Sequence, residues 1–546
     1  MNKTCEFSGA FQRMDDFIQR QMTALRTPGM SIALFDRGRC WRVATYGCTD
    51  LGTNAPVRAD TLFEIGSITK TFTAVAVLQA AEAGLLDLHT PVTTYLPWFQ
   101  VQSVYRPITT HHLLNHSAGM MGIIDQSPDI HSAVWMLRES ELAWPPGERF
   151  LYSDAGYQVL ALILEAVTGK PFAQIIQQQI FDPLGMTESS PVQVHAIRTR
   201  MAKGYTSLYD DRPSHHSHPL VEAPWSEVSS GDCGIASTAG DMAKFGQMLL
   251  NRGQGPTGRL LAEGSFEQMI QNPLEVDWAH CEYGYGLEIH TFDGIRHLGH
   301  GGGMPGYQAR LFVDLENGQG VVMLGSNPSA AAFTRKLMSL WRAAYLGRSL
   351  EAIDLSVPDL LHVENAADYE GIYQSGEKCI QLAAEGSRLV LSAAGQRVEL
   401  EKRGEDAFYA ALPEFDRFLL CFGREPANGE GMSAVVEAWY GEDWYFNSRY
   451  GGPLTFHFPE EWRAYPGHYR SHIPWEINNF RILLRKGALW LVHPEGDEEP
   501  LLPRPDGSFR RGEEPSPERV RFDQFIQGKA HRAILSGTPY YRFFTQ

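Results

Sequence analysis

The sequence predicts an α+β architecture: an antiparallel sheet flanked by helices over residues 1–350, then two all-β, barrel-like modules at 366–455 and 460–546. Three observations carry this. Up to about residue 350, apolar residues recur with periods of both 3.6 and 2, the marks of amphipathic helices and half-buried strands. Beyond it no long helical period survives, and short alternating segments such as 388–392 and 488–492 are punctuated by Gly, Pro and acidic turns. Within that half, Tyr369-Glu370-Gly371-Ile372-Tyr373-Gln374-Ser375 matches Tyr465-Pro466-Gly467-His468-Tyr469-Arg470-Ser471. This Tyr-x-Gly-x-Tyr-x-Ser pattern repeats after 96 residues and reads as a tandem duplication.

The elements follow in order. Met14, Phe17, Ile18, Gln21, Met22 and Leu25 share one face at helical spacing, which predicts a helix over 14–26 halted by Pro28-Gly29. A hairpin comes next, with strands at 30–35 and 39–46 turning at Asp36-Arg37-Gly38. Further helices are predicted at 68–84, at 155–168 before Gly169, and at 238–251 behind Ser237-Thr238, where a hydroxyl can cap the first turn. Strands are predicted at 306–314 and 320–325. An N-terminal hairpin with later strands separated by helices favours an antiparallel sheet over a run of parallel crossovers.

Composition narrows the function classes. The 546 residues are enough for several cores, and 20% charged with 11% aromatic residues exclude global disorder. Lys and Arg number 47 against 64 Asp and Glu, a net charge of −17 spread along the chain with no basic block. That argues against a nucleic-acid or anionic-membrane partner. Seven cysteines, an odd count without CxxC, give no disulfide framework and fit a reducing compartment. The first residues contain no signal-like apolar run, and no apolar stretch of about 18 residues occurs. The expectation is a soluble, cytoplasmic protein acting on a small molecule or short peptide, with homo-oligomerisation open.

The chemistry concentrates in three segments. In Gly66-Ser67-Ile68-Thr69-Lys70 a helix start places a lysine one turn after a serine, so the amine can reach the hydroxyl. A serine needs such a base to act as a nucleophile, and desolvation would let Lys70 lose its proton near neutrality. The helix N-terminus adds N–H groups suited to a developing oxyanion. Alone this is weak: average composition yields about two such tetrads by chance in a chain this long. The second segment, Tyr152-Ser153-Asp154, sits on a turn before a helix, where Tyr152 can face a cleft. The third is His300-Gly301-Gly302-Gly303, whose glycines let backbone approach a ligand closely.

Together and in this order these segments resemble the serine β-lactamase and penicillin-binding-protein-like hydrolases, in particular the class C and esterase-like branch that includes D-aminopeptidases. The resemblance spans about residues 12–348 and extends to 28–33, 108–119, 234–242 and 283–287. It implies a β-lactamase-like domain without cofactor or metal, in which Ser67 is acylated, Lys70 is its general-base partner, and Tyr152 shuttles the proton to the leaving group. By the same resemblance His300, Gly301 and Gly302 form the third motif on the strand lining the cleft, and the N–H groups of Ser67 and Gly303 form the oxyanion hole. Tyr152 then needs Lys70 and His300 nearby to act as a base. The tail resembles that of three-domain D-aminopeptidases, and lipocalin-like tails look similar.

Two departures bear on substrate choice. His300 stands where lactamases usually carry lysine, which removes a fixed positive charge for a substrate carboxylate. Asp154 stands where asparagine is common, and a carboxylate there would attract an ammonium group. The expected activity is acyl-enzyme hydrolysis of small amides or esters, D-amino-acid peptides or amides first. The alternatives are a carboxylesterase of the same fold and a slowly turning-over penicillin-binding sensor. Two histidine groupings are set aside: His112 and His116, whose i, i+4 spacing can bind zinc but lacks the glutamate of a zincin, and His215-His216-Ser217-His218, read as a solvated loop.

Overall fold

The computed structural model describes residues 7–122, 129–276, 280–425, 434–471, 478–513 and 515–544. These fall into two compact units, one holding described residues of 7–206 and 220–357, the other those of 207–219 and 358–544. Among the described residues no single helix is long and apolar enough to cross a membrane.

In the first unit, nine described strands form one antiparallel sheet. Its order is Ala55–Pro56, Cys40–Asp50, Gly29–Asp36, Gln319–Gly325, Tyr307–Asp314, Ile295–Met304, Glu288–Phe292, Cys281–Tyr283 and Leu274–Glu275. The N-terminal hairpin therefore lies beside the late strands, with Ile32 opposite Met323. Gly29–Asp36 is a nearly continuous apolar run because both of its faces are covered. Met30, Ile32 and Leu34 pack with Met14, Phe17 and Trp341 of helices Ser8–Leu25 and Thr334–Tyr345. Ala33 and Phe35 point into the larger core, with Phe72, Met242 and Phe245.

The predicted helices and strands are present with shifted ends. The first helix begins at Ser8, well before residue 14, where Phe7 and Phe11 pack on Trp341, a tertiary contact invisible to periodicity. It closes at Arg26, which takes the left-handed conformation. Thr69–Glu82 has no polar face, since eleven of its residues are buried, including Thr69, Lys70, Thr71 and Thr73. A helix apolar nearly all round is a central one, and it carries the site. Asp154–Thr168 stops at Gly169 in the left-handed region, and Thr238 caps Ala239–Leu250 by accepting from the Asp241 N–H at 3.1 Å.

In the second unit, the described strands close two barrels of eight antiparallel strands each, from Gly371–Ser375 to Asp443–Phe446 and from Gly467–Arg470 to Thr538–Phe543. The duplicated motif has one job in both. The Tyr373 hydroxyl donates to the Tyr369 carbonyl at 2.9 Å, and the Tyr469 hydroxyl to the Tyr465 carbonyl at 2.7 Å, tying the first strand of each barrel to the turn before it.

The stretch His215-His216-Ser217-His218, read as a solvated loop, is only partly so: His216 and Ser217 are exposed, but the His215 side chain and His218 are buried, and the surrounding segment 207–219 packs within this unit against both barrels. Arg212 pairs with Asp416 at 2.7 Å, Asp211 with Arg481 at 3.2 Å, and Asp210 with Arg470. Complementary charge holds a segment whose sequence looks merely polar.

Candidate active site

Ser67 sits on a 3₁₀ turn, Gly66–Ile68, which runs directly into Thr69–Glu82. Gly66 has φ +50, and a Cβ there would lie 2.5 Å from the Gly303 carbonyl oxygen. Strand Ile295–Met304 thus passes flush against the serine turn, so glycine is required on both sides. Lys70 Nζ lies 2.9 Å from Ser67 Oγ.

The lysine is fully buried, and its Nζ also donates to the Asp232 carbonyl at 3.1 Å and lies 2.5 Å from Asp154 Oδ1. Ser67 Oγ and the Asp232 carbonyl accept its protons, and Asp154 faces it as the counter-charge. Burial alone would favour the free amine, as the sequence reading assumed. The charge of Asp154, with Tyr152 and Asp232 behind it, more than reverses that and holds Lys70 well above the ordinary lysine value. The lysine of this site is therefore charged at neutral pH, contrary to the expectation.

Tyr152 and Asp154 are placed by one short segment. Ser153 caps Asp154–Thr168 by accepting from the Gly156 N–H at 3.1 Å, its own hydroxyl donates to the Met121 carbonyl at 2.6 Å, and its N–H donates to His116 Nδ1 at 3.0 Å. The His116 ring lies 4.4 Å from that of Tyr152. Burial, with Lys70 and His300 nearby, drives His116 well below the usual histidine value, so it stays neutral. Tyr152 is hydrogen-bonded to both Lys70 and Ser67. Burial raises its phenol above the ordinary tyrosine value although the Lys70 charge opposes this.

His300 is brought to the site's edge rather than onto Lys70. Its Nδ1 lies 2.5 Å from the Gly301 carbonyl, which can only accept, so Nε2 accepts from the Tyr283 hydroxyl at 2.9 Å. Its ring lies 6.3 Å from that of Tyr152. Burial lowers His300 to about 4 even though Glu288 opposes the shift, leaving it neutral near pH 7. Glu288 Oε1 accepts from the Gly301 N–H at 3.2 Å, and its other oxygen meets Arg310 and, at 2.7 Å, His290. Burial pushes Glu288 up, but His300, Arg310 and His290 together hold it below the usual carboxylate range.

The three glycines differ. A Cβ on Gly302 would fall 1.8 Å from the Ile65 carbonyl oxygen, whereas one on Gly301 would meet the Arg310 guanidinium at 2.7 Å. Gly303 is solvent-exposed at the mouth beside Ser67. Sequence reasoning missed Asp232, Tyr283, Glu288 and the positioning role of His116. Asp232 acts through its backbone carbonyl, which no side-chain pattern reveals, and through the charge of its carboxylate near Lys70. The segment 283–287 did contain Tyr283, but nothing in it pointed to His300.

His112 and His116 do not converge on a metal. Helix Thr110–Leu114 ends before His116, which has φ +56, and His112 Nδ1 instead accepts from the Thr109 N–H at 3.0 Å.

Comparison with known proteins decides the family: a model described as Beta-lactamase matches residues 14–342. The chain belongs to the beta-lactamase family. Within it, the chain is 29% identical over 343 residues to Penicillin-binding protein 4 of Amycolatopsis lactamdurans, covering 58% of this chain and 86% of that one. It is 28% identical over 366 residues to an Unguisins hydrolase, ungD, of Aspergillus violaceofuscus (strain CBS 115571), covering 61% and 63%. Among solved structures, the octameric penicillin-binding protein homologue from Pyrococcus abyssi superposes with a TM-score of 0.58 at 25% identity, covering 81% of this chain and 99% of that one. The protein is a serine-type hydrolase of the beta-lactamase family with two C-terminal eight-stranded barrels.

Proposed function

We propose that the protein hydrolyses small amides or esters through an acyl-enzyme on Ser67, with D-amino-acid peptides or amides as its substrates. The observation that carries this reading is the 2.9 Å contact of Ser67 Oγ with a buried lysine that also reaches Tyr152, in a hydrolase family. The three-domain layout it resembles supplies the D-amino-acid part.

Ser67 Oγ attacks the substrate carbonyl carbon while its proton passes to the Lys70/Tyr152 pair. The N–H groups of Ser67 and Gly303 receive the oxyanion. The pair then returns the proton to the leaving amine or alcohol, and water repeats the sequence on the acyl ester. Before the pair can take the serine proton it must itself have lost one. Written as free amine with phenol or as ammonium with phenolate, the proton count is the same. Asp154 works against that loss, so activity should rise with pH. Gly302 keeps the strand flush with the serine turn, and His300, Gly301 and Glu288 position it through Tyr283 and Arg310.

Neutral His300 offers no fixed charge to a substrate carboxylate, which favours acyl donors without one. A carboxylesterase reading stands beside the peptidase one because Asp154, expected to recognise an ammonium group, is already committed to Lys70. Assembly into homo-oligomers, as the Pyrococcus abyssi homologue is described, is part of the proposal and is read by light scattering.

The test is intact-mass detection of a fluorophosphonate adduct on Ser67, followed by kcat/KM for D-Ala-p-nitroanilide, its L-enantiomer and a p-nitrophenyl ester. Labelling with D-selective anilide hydrolysis supports the reading. Ester hydrolysis without anilide turnover leaves the esterase, and no adduct at Ser67 overturns both.

A further inference from the structure

We propose that His215, His216 and Glu401 form a zinc-type divalent metal site that fastens segment 207–219 to the first barrel. One ligand atom from each of the three lies within 4.8 Å of the others. Glu401 Oε1 is 2.9 Å from His215 Nε2 and 3.8 Å from His216 Nδ1. Tetrahedral zinc with ligands at about 2.0–2.2 Å separates its donors by about 3.4 Å, so both contacts need only a few tenths of an ångström of adjustment.

The surroundings hold two of the ligands in place. His215 Nδ1 lies 2.7 Å from Ser217 Oγ and accepts from the Ser217 N–H at 3.3 Å, which anchors the ring with Nε2 turned toward Glu401. The His215 ring also stacks on Tyr409 at 4.7 Å. Tyr409 is the cross-strand partner of Glu401, so one face of the barrel presents both the carboxylate and the platform for the imidazole. Arg403 occupies the other oxygen, Glu401 Oε2, at 2.8 Å and leaves Oε1 to the histidines. His215 is 4% exposed and Glu401 12%, whereas His216 is 67% exposed and gives an ion its way in. Two imidazoles and a carboxylate suit zinc, nickel or cobalt rather than calcium or magnesium, with a water completing the shell.

The full-length, tag-free chain, stripped with a chelator, is titrated with ZnCl₂ by calorimetry, and its Co²⁺ absorption is recorded. The expected result is one saturable site per chain, weakened at least about tenfold in His216→Ala and in Glu401→Gln, with a tetrahedral cobalt band lost in both. His216 is exposed, so its variant tests the site without threatening the fold, and circular dichroism checks Glu401→Gln. Equal zinc affinity in wild type and both variants, no saturable uptake, or a thiolate-to-cobalt charge-transfer band assigning the ion to cysteines would each overturn the proposal. None of these outcomes depends on acyl transfer at Ser67.

Discussion

Replacing Asp154 by asparagine tests the electrostatics of the site directly. The carboxylate lies 2.5 Å from the buried Lys70 Nζ, and asparagine keeps the shape and an acceptor oxygen while removing the charge. An opposite charge at contact distance moves a pKa by about 1–3 units, worth about 1.4–4 kcal/mol. Loss of a proton makes the Lys70/Tyr152 pair more negative, and a neighbouring anion opposes it. Removing that anion must therefore lower the pair's apparent pKa. The sign holds whichever member of the pair gives up the proton. With an uncharged ester as substrate, a plot of log kcat/KM against pH between about 5 and 10 should show a rising limb that moves down by about 1–3 units in Asp154→Asn. The variant should then outpace wild type on the acid side. A limb that stays in place, or moves up, in a variant with an unchanged circular dichroism spectrum would refute the claim that Asp154 sets the protonation of this pair.

Three further outcomes follow from the geometry. Ser67→Ala should lower hydrolysis by about 10³-fold or more and remove the fluorophosphonate adduct, checked by intact mass. Gly302→Ala should lose activity or soluble yield because its Cβ meets the Ile65 backbone, while Gly301→Ala should retain most activity because only the movable Arg310 side chain is in its way, compared through kcat and yield. Glu64, buried with one hydrogen bond from Gln193 at 2.5 Å, is pushed up to about 8 by burial. Between its ordinary 4.5 and 8 the native state holds a proton that the unfolded chain has released, so stability falls as pH rises through this window. Glu64→Gln should remove that slope, gaining about 3 kcal/mol at pH 7 and little at pH 4.5, read as Tm at the two values.

Much of this was legible in the sequence, for identifiable reasons. Helices 69–82 and 154–168 declared themselves through local signals: a helical pattern starting at the serine turn, and one ended by Gly169. Lys70 and Asp154 lie in the first turns of these helices and Ser67 on the 3₁₀ turn just before the first, but the Ser-x-x-Lys spacing was weak alone, and it was the order of the three segments, through the family resemblance, that singled these residues out. The tandem motif gave the two barrels because each copy carries the same tyrosine-to-carbonyl bond. Effects that depend on long-range partners were not legible. The protonation of Lys70 was read from burial alone, and it is reversed by a residue 84 positions away in the chain. The destination of 207–219 was hidden for the same reason, since Asp210, Asp211 and His215 find their partners more than 180 residues away.

The commitment of Asp154 to Lys70 also changes how substrate preference can be read. A change of rate in Asp154→Asn mixes two effects, the altered proton balance of the Lys70/Tyr152 pair and any lost attraction for a substrate ammonium. The first acts alike on every acyl donor, so it cancels in the ratio of kcat/KM for D-Ala-p-nitroanilide to that for its N-acetyl form at one pH. The second acts on the free amine alone. If Asp154 spends its charge on Lys70, as the 2.5 Å contact implies, the ratio should move by less than about threefold while both absolute rates move with the pH limb, since an already compensated carboxylate contributes under about 1 kcal/mol to a second cation. A fall of tenfold or more in the ratio would show that the carboxylate still reaches the substrate, which would give the aminopeptidase reading the recognition group it now lacks.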